Sequence, residues 1–234
     1  MRERSWEEMA TELARMSRTL LAQESVQGTL DQIVRHAVGL VDGCDDAGVL
    51  VLEDRTRVRS LAASSDLVRT SDQQQEEVGE GPCFDAAREQ QEVFRIADVG
   101  GSEPRWPHYA PRARALGIGS MMGFLLFTEE GSLGALNMYS SKPAAFTTRS
   151  ENTGWVLASH AAVAFSSARS SHQMHTAMET RNLIGEALGI VMERFKITDE
   201  QAFEVLKKSS QDHNIKLRNI ASTITRTGEL PGAS

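Results

Sequence analysis

The run HNIKLRNIAS, residues 213–222, puts Lys216 and Arg218 on one side of a short helical pattern and Leu217, Ile220 and Ala221 on the other. Cations displayed outward from an apolar-backed helix can position phosphates, although a solvated helix face is the usual reason for surface lysine and arginine. More cations lie close by in sequence: Arg181, Arg194, Lys196, Lys207 and Lys208. Between Arg181 and Arg226 there are eight Lys/Arg against six Asp/Glu, a net +2, which leaves −9 on the rest of a chain totalling −7. A surface that binds nucleic acid all over is therefore excluded, and positive charge concentrates at the C-terminal end. The residues alone admit three readings of that end: a duplex-DNA reader with Asn214, Lys216 and Arg218 at the front of a recognition helix, an RNA reader, or a plain solvated bundle.

Other reactive types are sparse. Cys83 follows GEGP at the start of a short helical pattern, where a helix N-terminus favours a thiolate. The second cysteine, Cys44, belongs to another segment and supplies no resolving thiol, so Cys83 as a small buried apolar residue is the plainer reading. Neither cysteine is part of a CxxC or CxxH cluster, and two free thiols are expected. His172 and His175 stand three apart with no third ligand type close in sequence, so no metal site is expected. A phosphate-binding loop would need a GKS or GKT ending, and none occurs. Trp106, Phe124 and Met138 read as core or as the wall of a pocket, together with Cys83.

These residues must be held by a chain of 234 residues, 40% apolar and 24% charged, long enough for two domains. No apolar run approaches 18 residues, and the opening MRERSWEEMA is charged, so a cytoplasmic location is expected. Trp6, Met9, Leu13, Met16 and Leu20 follow a 3-4 spacing over residues 5–21, an amphipathic helix that packs on its own domain or forms a dimer seam. Val26–Val41 is a second helix. AGVLVLE and RVRSLAAS read as strands, SDQQQEEVGEG as a polar loop, EVFRIADV as a strand and PRARALG as a helix. GSMMGFLLF and SLGALNMYS, joined by TEEG, predict a hairpin. From Thr148 the pattern is helical, with no proline between Pro143 and Pro231, and predicts one long helix running towards three short ones. Thr198 and Gln201 form a capping box, Asn214 is the expected N-cap of the last helix, and Gly228 its stop.

The stretch RNLIGEALGIVMERFKITDEQAFEVLKKSSQDHNIKLRNIAS, residues 181–222, resembles the ANTAR family, the RNA-binding antitermination domains of bacterial regulators. The likeness runs through Arg181, Ile184, Ala187-x-Gly189, Met192-x-Arg194, Ala202-Phe203, Leu206, Ser210, Asn214 and Ala221. One departure is Leu188, where the family commonly has lysine. Upstream, GEGPCFDAA (79–87), RWPHYAPRARALGIGS (105–120) and LGALNMYSSKPAAFT (133–147) are similar to the GAF domains that precede ANTAR in actinobacterial proteins.

The resemblance implies an N-terminal helix (1–24), an α+β sensor with an antiparallel sheet and flanking helices (25–168), a helical linker (169–180) and an all-α three-helix bundle (181–228). It implies a non-catalytic regulator whose partners are structured mRNA hairpins, a second copy of the chain and a small-molecule ligand that the resemblance does not name. Arg181, Arg194, Lys196, Lys207, Lys208, Asn214, Lys216 and Arg218 are the expected RNA contacts. Phe195 and Phe203 fall at buried spacing, so recognition is expected to rest on the cations and on polar groups. A DNA-binding helical regulator, and a GAF-fold thiol enzyme or redox sensor using Cys83, are the alternatives.

Overall fold

Alternating apolar residues on two neighbouring strands set up the first unit. In a computed structural model, which describes residues 6–53, 57–82, 84–85, 92–101, 105–128 and 131–230, β4 (Ser120–Thr128) and β5 (Gly131–Ser140) pair antiparallel, from Ser120 opposite Ser140 to Thr128 opposite Gly131. β1 (Asp46–Glu53) and β2 (Arg57–Ala63) extend the sheet on the β5 side and β3 (Val93–Ile96) on the β4 side, giving the order β2-β1-β5-β4-β3 with antiparallel neighbours throughout.

Because successive side chains on a strand point to opposite faces, the sheet has two distinct sides. Met122, Phe124 and Leu126 of β4 join Leu136 and Met138 of β5 against α1 (Trp6–Leu21), α2 (Val26–Leu40) and the opening turns of α5 (Thr148–Phe195). Gly154 allows a close approach on this side: a Cβ there would lie 2.4 Å from the Phe124 ring. Met121 and Tyr139 point the other way, against α3 (Asp66–Val78) and α4 (Tyr109–Ala115). Helices thus cover both faces, the arrangement an amphipathic sheet needs to bury two apolar surfaces.

Two expectations change. SDQQQEEVGEG is helical as far as Val78, not a loop, because the inward positions of α3 are taken by Ser71, Asp72 and Gln75, which leave no apolar period to read. The seam on α1 is not open to a partner. Met9, Met16 and Leu20 are buried within their own unit, Met16 and Leu20 in the core beneath α2, with Leu13 packed against it. The Trp6 side chain lies outside the described residues.

The chain divides into two units, Met1–Arg169 and Ser170–Ser234, and α5 contributes residues to each. In the second unit, Ala187 and Val191 of α5 meet Ala202 and Leu206 of α6 (Asp199–Asp212) and Ile220, Ala221 and Ile224 of α7 (Leu217–Thr227). α6 begins with the expected capping box, in which Thr198 N–H donates to Gln201 Oε1 at 3.0 Å and Gln201 N–H to Thr198 Oγ1 at 3.4 Å. No helix among the described residues is long and apolar enough to cross a membrane.

The burial of α1 carries a testable consequence. Met16 is fully buried, so Met16→Ala should lower the stability of the first unit by about 2–5 kcal/mol. Leu21→Ala, at a residue 65% exposed, should change it by about 0.5 kcal/mol or less. Urea unfolding of the two variants checks the difference.

Candidate functional site

The second unit shows its cations in three settings. Lys196 pairs with Glu193 and Lys207 with Glu204, each three residues back on an exposed helix face. Such pairs contribute little in water, so either lysine can exchange its carboxylate for a phosphate at small cost. Arg194 has structural work: its Nη1 donates to the Gly228 carbonyl at the end of α7, and its guanidinium stands 5.9 Å over the Phe195 ring. Lys208, Lys216, Arg218 and Arg181 make no ion pair among the described residues. Arg181 lies thirteen residues before Arg194 on α5, about 20 Å along the axis, apart from the rest.

Lys216 and Arg218 sit at the start of α7. Lys216, and not Asn214, occupies its N-cap position with no side-chain cap, and the first turn carries no acidic residue. Asn214 instead adopts a left-handed backbone with φ 52° and serves the turn between α6 and α7, a conformation asparagine tolerates better than most residues. Ser210 fixes that turn: its Oγ donates to the Ile215 carbonyl at 2.6 Å, while Ile215 N–H donates to the Ser210 carbonyl at 3.0 Å. A groove between α5 and α7, lined by Glu186, Gly189, Ile190, Glu193, Arg194 and Thr225, carries two carboxylates against one guanidinium and is ill suited to phosphate.

Phe195 and Phe203 depart from their expected burial. Phe195 is 47% exposed and Phe203 40%. Phe195 is the last residue of α5, and Phe203 lies about 100° round α6 from Ala202, which with Leu206 and Ser209 forms the inward face.

In the first unit the residues named as a pocket do not come together. Trp106 is on the α3–α4 side of the sheet, where its Nε1 donates to Asp85 at 2.8 Å and its ring meets Tyr109 edge-on. Phe124 and Met138 are on the other side, Phe124 edge-on to Trp155 at 5.6 Å. The sheet separates them, since strand alternation sends Met121 and Phe124 to opposite faces. Cys83 lies outside the described residues. Cys44 is buried, with its thiol pushed up to about 12 by burial and by the carboxylates of Asp46 and Asp45 against a backbone hydrogen bond, so it is a poor nucleophile. No group of side chains that could hold a metal ion occurs among the described residues.

What sequence reasoning missed is the polar interior beneath α3. Asp72 accepts hydrogen bonds from Ser60 Oγ of β2 and from Tyr139 OH of β5, the latter at 3.2 Å. Ser71 Oγ and Tyr109 OH are 2.8 Å apart, and Tyr109 OH reaches Met121 Sδ at 3.6 Å. Gly123 makes room here, because a Cβ on it would come within 2.3 Å of Phe94 and 2.7 Å of Asn137 Oδ1. Burial raises the Asp72 carboxyl to about 6, opposed by the two hydroxyl donors and by Arg69.

That shift has a sign. The folded state holds the Asp72 proton more tightly than the unfolded chain, whose aspartate titrates near 3.8. The protonated form therefore adds stability that is complete below about pH 4 and is lost as pH rises through about 6. Asp72→Asn should remove this component from the pH dependence of unfolding. Tyr139→Phe, which deletes a donor to the carboxylate, should move its upper limit to higher pH. Unfolding midpoints measured from pH 4 to 8 check both.

Comparison with known proteins bears on both units. The family model for the GAF domain matches residues 23–166 and that for the ANTAR domain residues 172–224. None of the curated proteins matches the chain. Among solved structures, the GAF domain of a phosphoenolpyruvate-protein phosphotransferase from Coxiella burnetii is similar with a TM-score of 0.55 at 18% identity, over 70% of this chain and 96% of that one. The chromophore-binding domain of an unusual bacteriophytochrome from R. palustris gives 0.55 at 12%, over 73% of this chain and 65% of its own. The phytochrome photosensory core module of Stigmatella aurantiaca gives 0.60 at 12%, over 90% and 46%. The chain thus spans just under two thirds of the first phytochrome domain and under half of the second. At such identities the structural likeness speaks for the fold, and the two family matches speak for descent: the chain belongs to the GAF domain family and carries an ANTAR domain behind it.

Proposed function

We propose that this protein is a cytoplasmic, non-catalytic transcription antitermination regulator. Its GAF unit senses a signal, and its ANTAR unit binds hairpins in nascent mRNA and keeps a terminator from forming. The observation that carries the reading is the start of α7. Lys216 and Arg218 stand at the positive end of a helix that has no cap side chain and no acidic residue in its first turn. Cations there oppose the helix dipole and weaken the helix, a cost that an anion bound at the first N–H groups of the helix offsets. Lys208 on α6 adds a third cation without an ion pair among the described residues.

The reading includes a homodimer. With Met9, Met16 and Leu20 folded into their own unit, the apolar side chains left open for self-association include Met174 and Met178 on α5. Two copies would gain affinity for an RNA with two hairpins through effective concentration. The reading puts the input side of the GAF unit under α3, where Ser71, Asp72 and Gln75 are buried beside an apolar cluster, rather than on the α1–α2 side.

Titration against a hairpin RNA and a duplex DNA at matched salt tests this function. The wild-type chain should prefer the hairpin; tighter binding to a specific duplex DNA would replace this reading with a helix-turn-helix one. Lys208→Ala, Lys216→Ala and Arg218→Ala combined should reduce the slope of log K against log salt by about 2, at roughly 0.7 per phosphate contact on single strands. Circular dichroism should show the helices intact.

A further inference from the structure

The second unit contains two aromatic side chains of the Phe, Tyr and Trp type, Phe195 and Phe203, and its core uses neither. That core is built from alanine and aliphatic residues: Ala187, Val191, Ala202, Leu206, Ile220, Ala221 and Ile224. A bundle this small has few large apolar groups to bury, and leaving both rings about half exposed forgoes stabilisation it could have had.

Each exposed ring has a cation beside it. The Arg194 guanidinium lies over Phe195, held by its hydrogen bond to the Gly228 carbonyl, and Lys196 follows directly in the chain. Lys207 is one turn beyond Phe203 on the same face of α6, paired only with a solvent-exposed glutamate. At Phe203 an exposed ring next to an exchangeable cation matches a ligand that joins a flat ring to a phosphate; at Phe195 Arg194 covers one face, and the exchangeable cation is Lys196. Duplexes stack their base faces internally and offer no such ring, whereas the unpaired bases of an RNA loop do.

We infer that Phe195 and Phe203 are stacking platforms for unpaired bases of the RNA loop, with Lys196 and Lys207 beside them to meet the flanking phosphates. This rests on the RNA-binding reading above and adds to it the part of the RNA that is recognised. The cations of α7 and α6 hold the backbone of any suitable anion; the two rings select for a loop.

The test uses the full chain, a labelled hairpin RNA with an unpaired loop, and a fully paired RNA of the same phosphate count. Phe195→Leu with Phe203→Leu keeps apolar bulk at two half-exposed positions and removes the stacking face. Phe195→Tyr with Phe203→Tyr retains it. The leucine variant should bind the hairpin about tenfold or more weaker, within the range for loss of a base stack. Its salt slope and its binding to the paired RNA should not change, and the tyrosine variant should match wild type. If the leucine variant binds the hairpin as wild type does, the platforms are refuted and the RNA-binding reading stands. If that variant keeps hairpin affinity but loses self-association by light scattering, the rings belong to a protein contact and the inference is overturned. If the wild-type chain binds no hairpin at all, the functional reading falls and the platforms with it.

Discussion

Side-chain alternation along β4 and β5 governs the first unit. One face of these strands presents Met122, Phe124, Leu126, Leu136 and Met138, an apolar surface that α1, α2 and α5 cover. The other presents Met121, Gly123, Asn137 and Tyr139, beneath a helix whose inward positions are Val68 and the polar Ser71, Asp72 and Gln75. A slip of one residue in the pairing would exchange these sets and drive Asn137 and Tyr139 into the apolar layer. The register therefore protects two different chemistries at once. The apolar side gives the unit most of its driving force to fold. The polar side holds the buried Asp72 carboxyl in hydrogen bonds from Ser60 and Tyr139.

Much of this was legible because it depends on local rules. The 3-4 spacing of α1, the strand alternation of β4 and β5, the capping box at Thr198 and the stop at Gly228 each follow from neighbours a few residues apart. What the sequence did not disclose was which faces would meet. The α1 pattern is the same for a helix that packs on its own unit and for one that waits for a partner, and only the position of α2 and α5 resolves it. Helix α3 was hidden for the opposite reason: Ser71 and Asp72 are buried by tertiary contact with Tyr109, Ser60 and Tyr139, which come from distant segments.

The C-terminal unit follows the same division. Its helices and cations were evident in composition and spacing, but Phe195 and Phe203 share the helical period of core residues and lie outside the core. Being one position off the inward stripe of α6, or at the last residue of α5, is enough to move a ring from interior to surface. Asn214 shows a similar displacement. Its residue type suits a cap, yet the hydrogen bonds of Ser210 hold the preceding turn and delay the helix start to Leu217.

Both connections in the C-terminal bundle contain a residue in the left-handed region that is not glycine: Lys196 with φ 53° and Asn214 with φ 52°. For a side chain with a Cβ that conformation costs roughly 1–2 kcal/mol, less for asparagine, and glycine would adopt it freely. The bundle therefore holds a reserve of stability at two identifiable positions. Natural chains drift towards the minimum stability they need, and strain that persists at a turn marks a place where another requirement outweighs it. For an engineer, these two turns are places where thermal resistance could be gained. For the protein, they are two turns in which a lysine and an asparagine hold a backbone that glycine would adopt at lower cost.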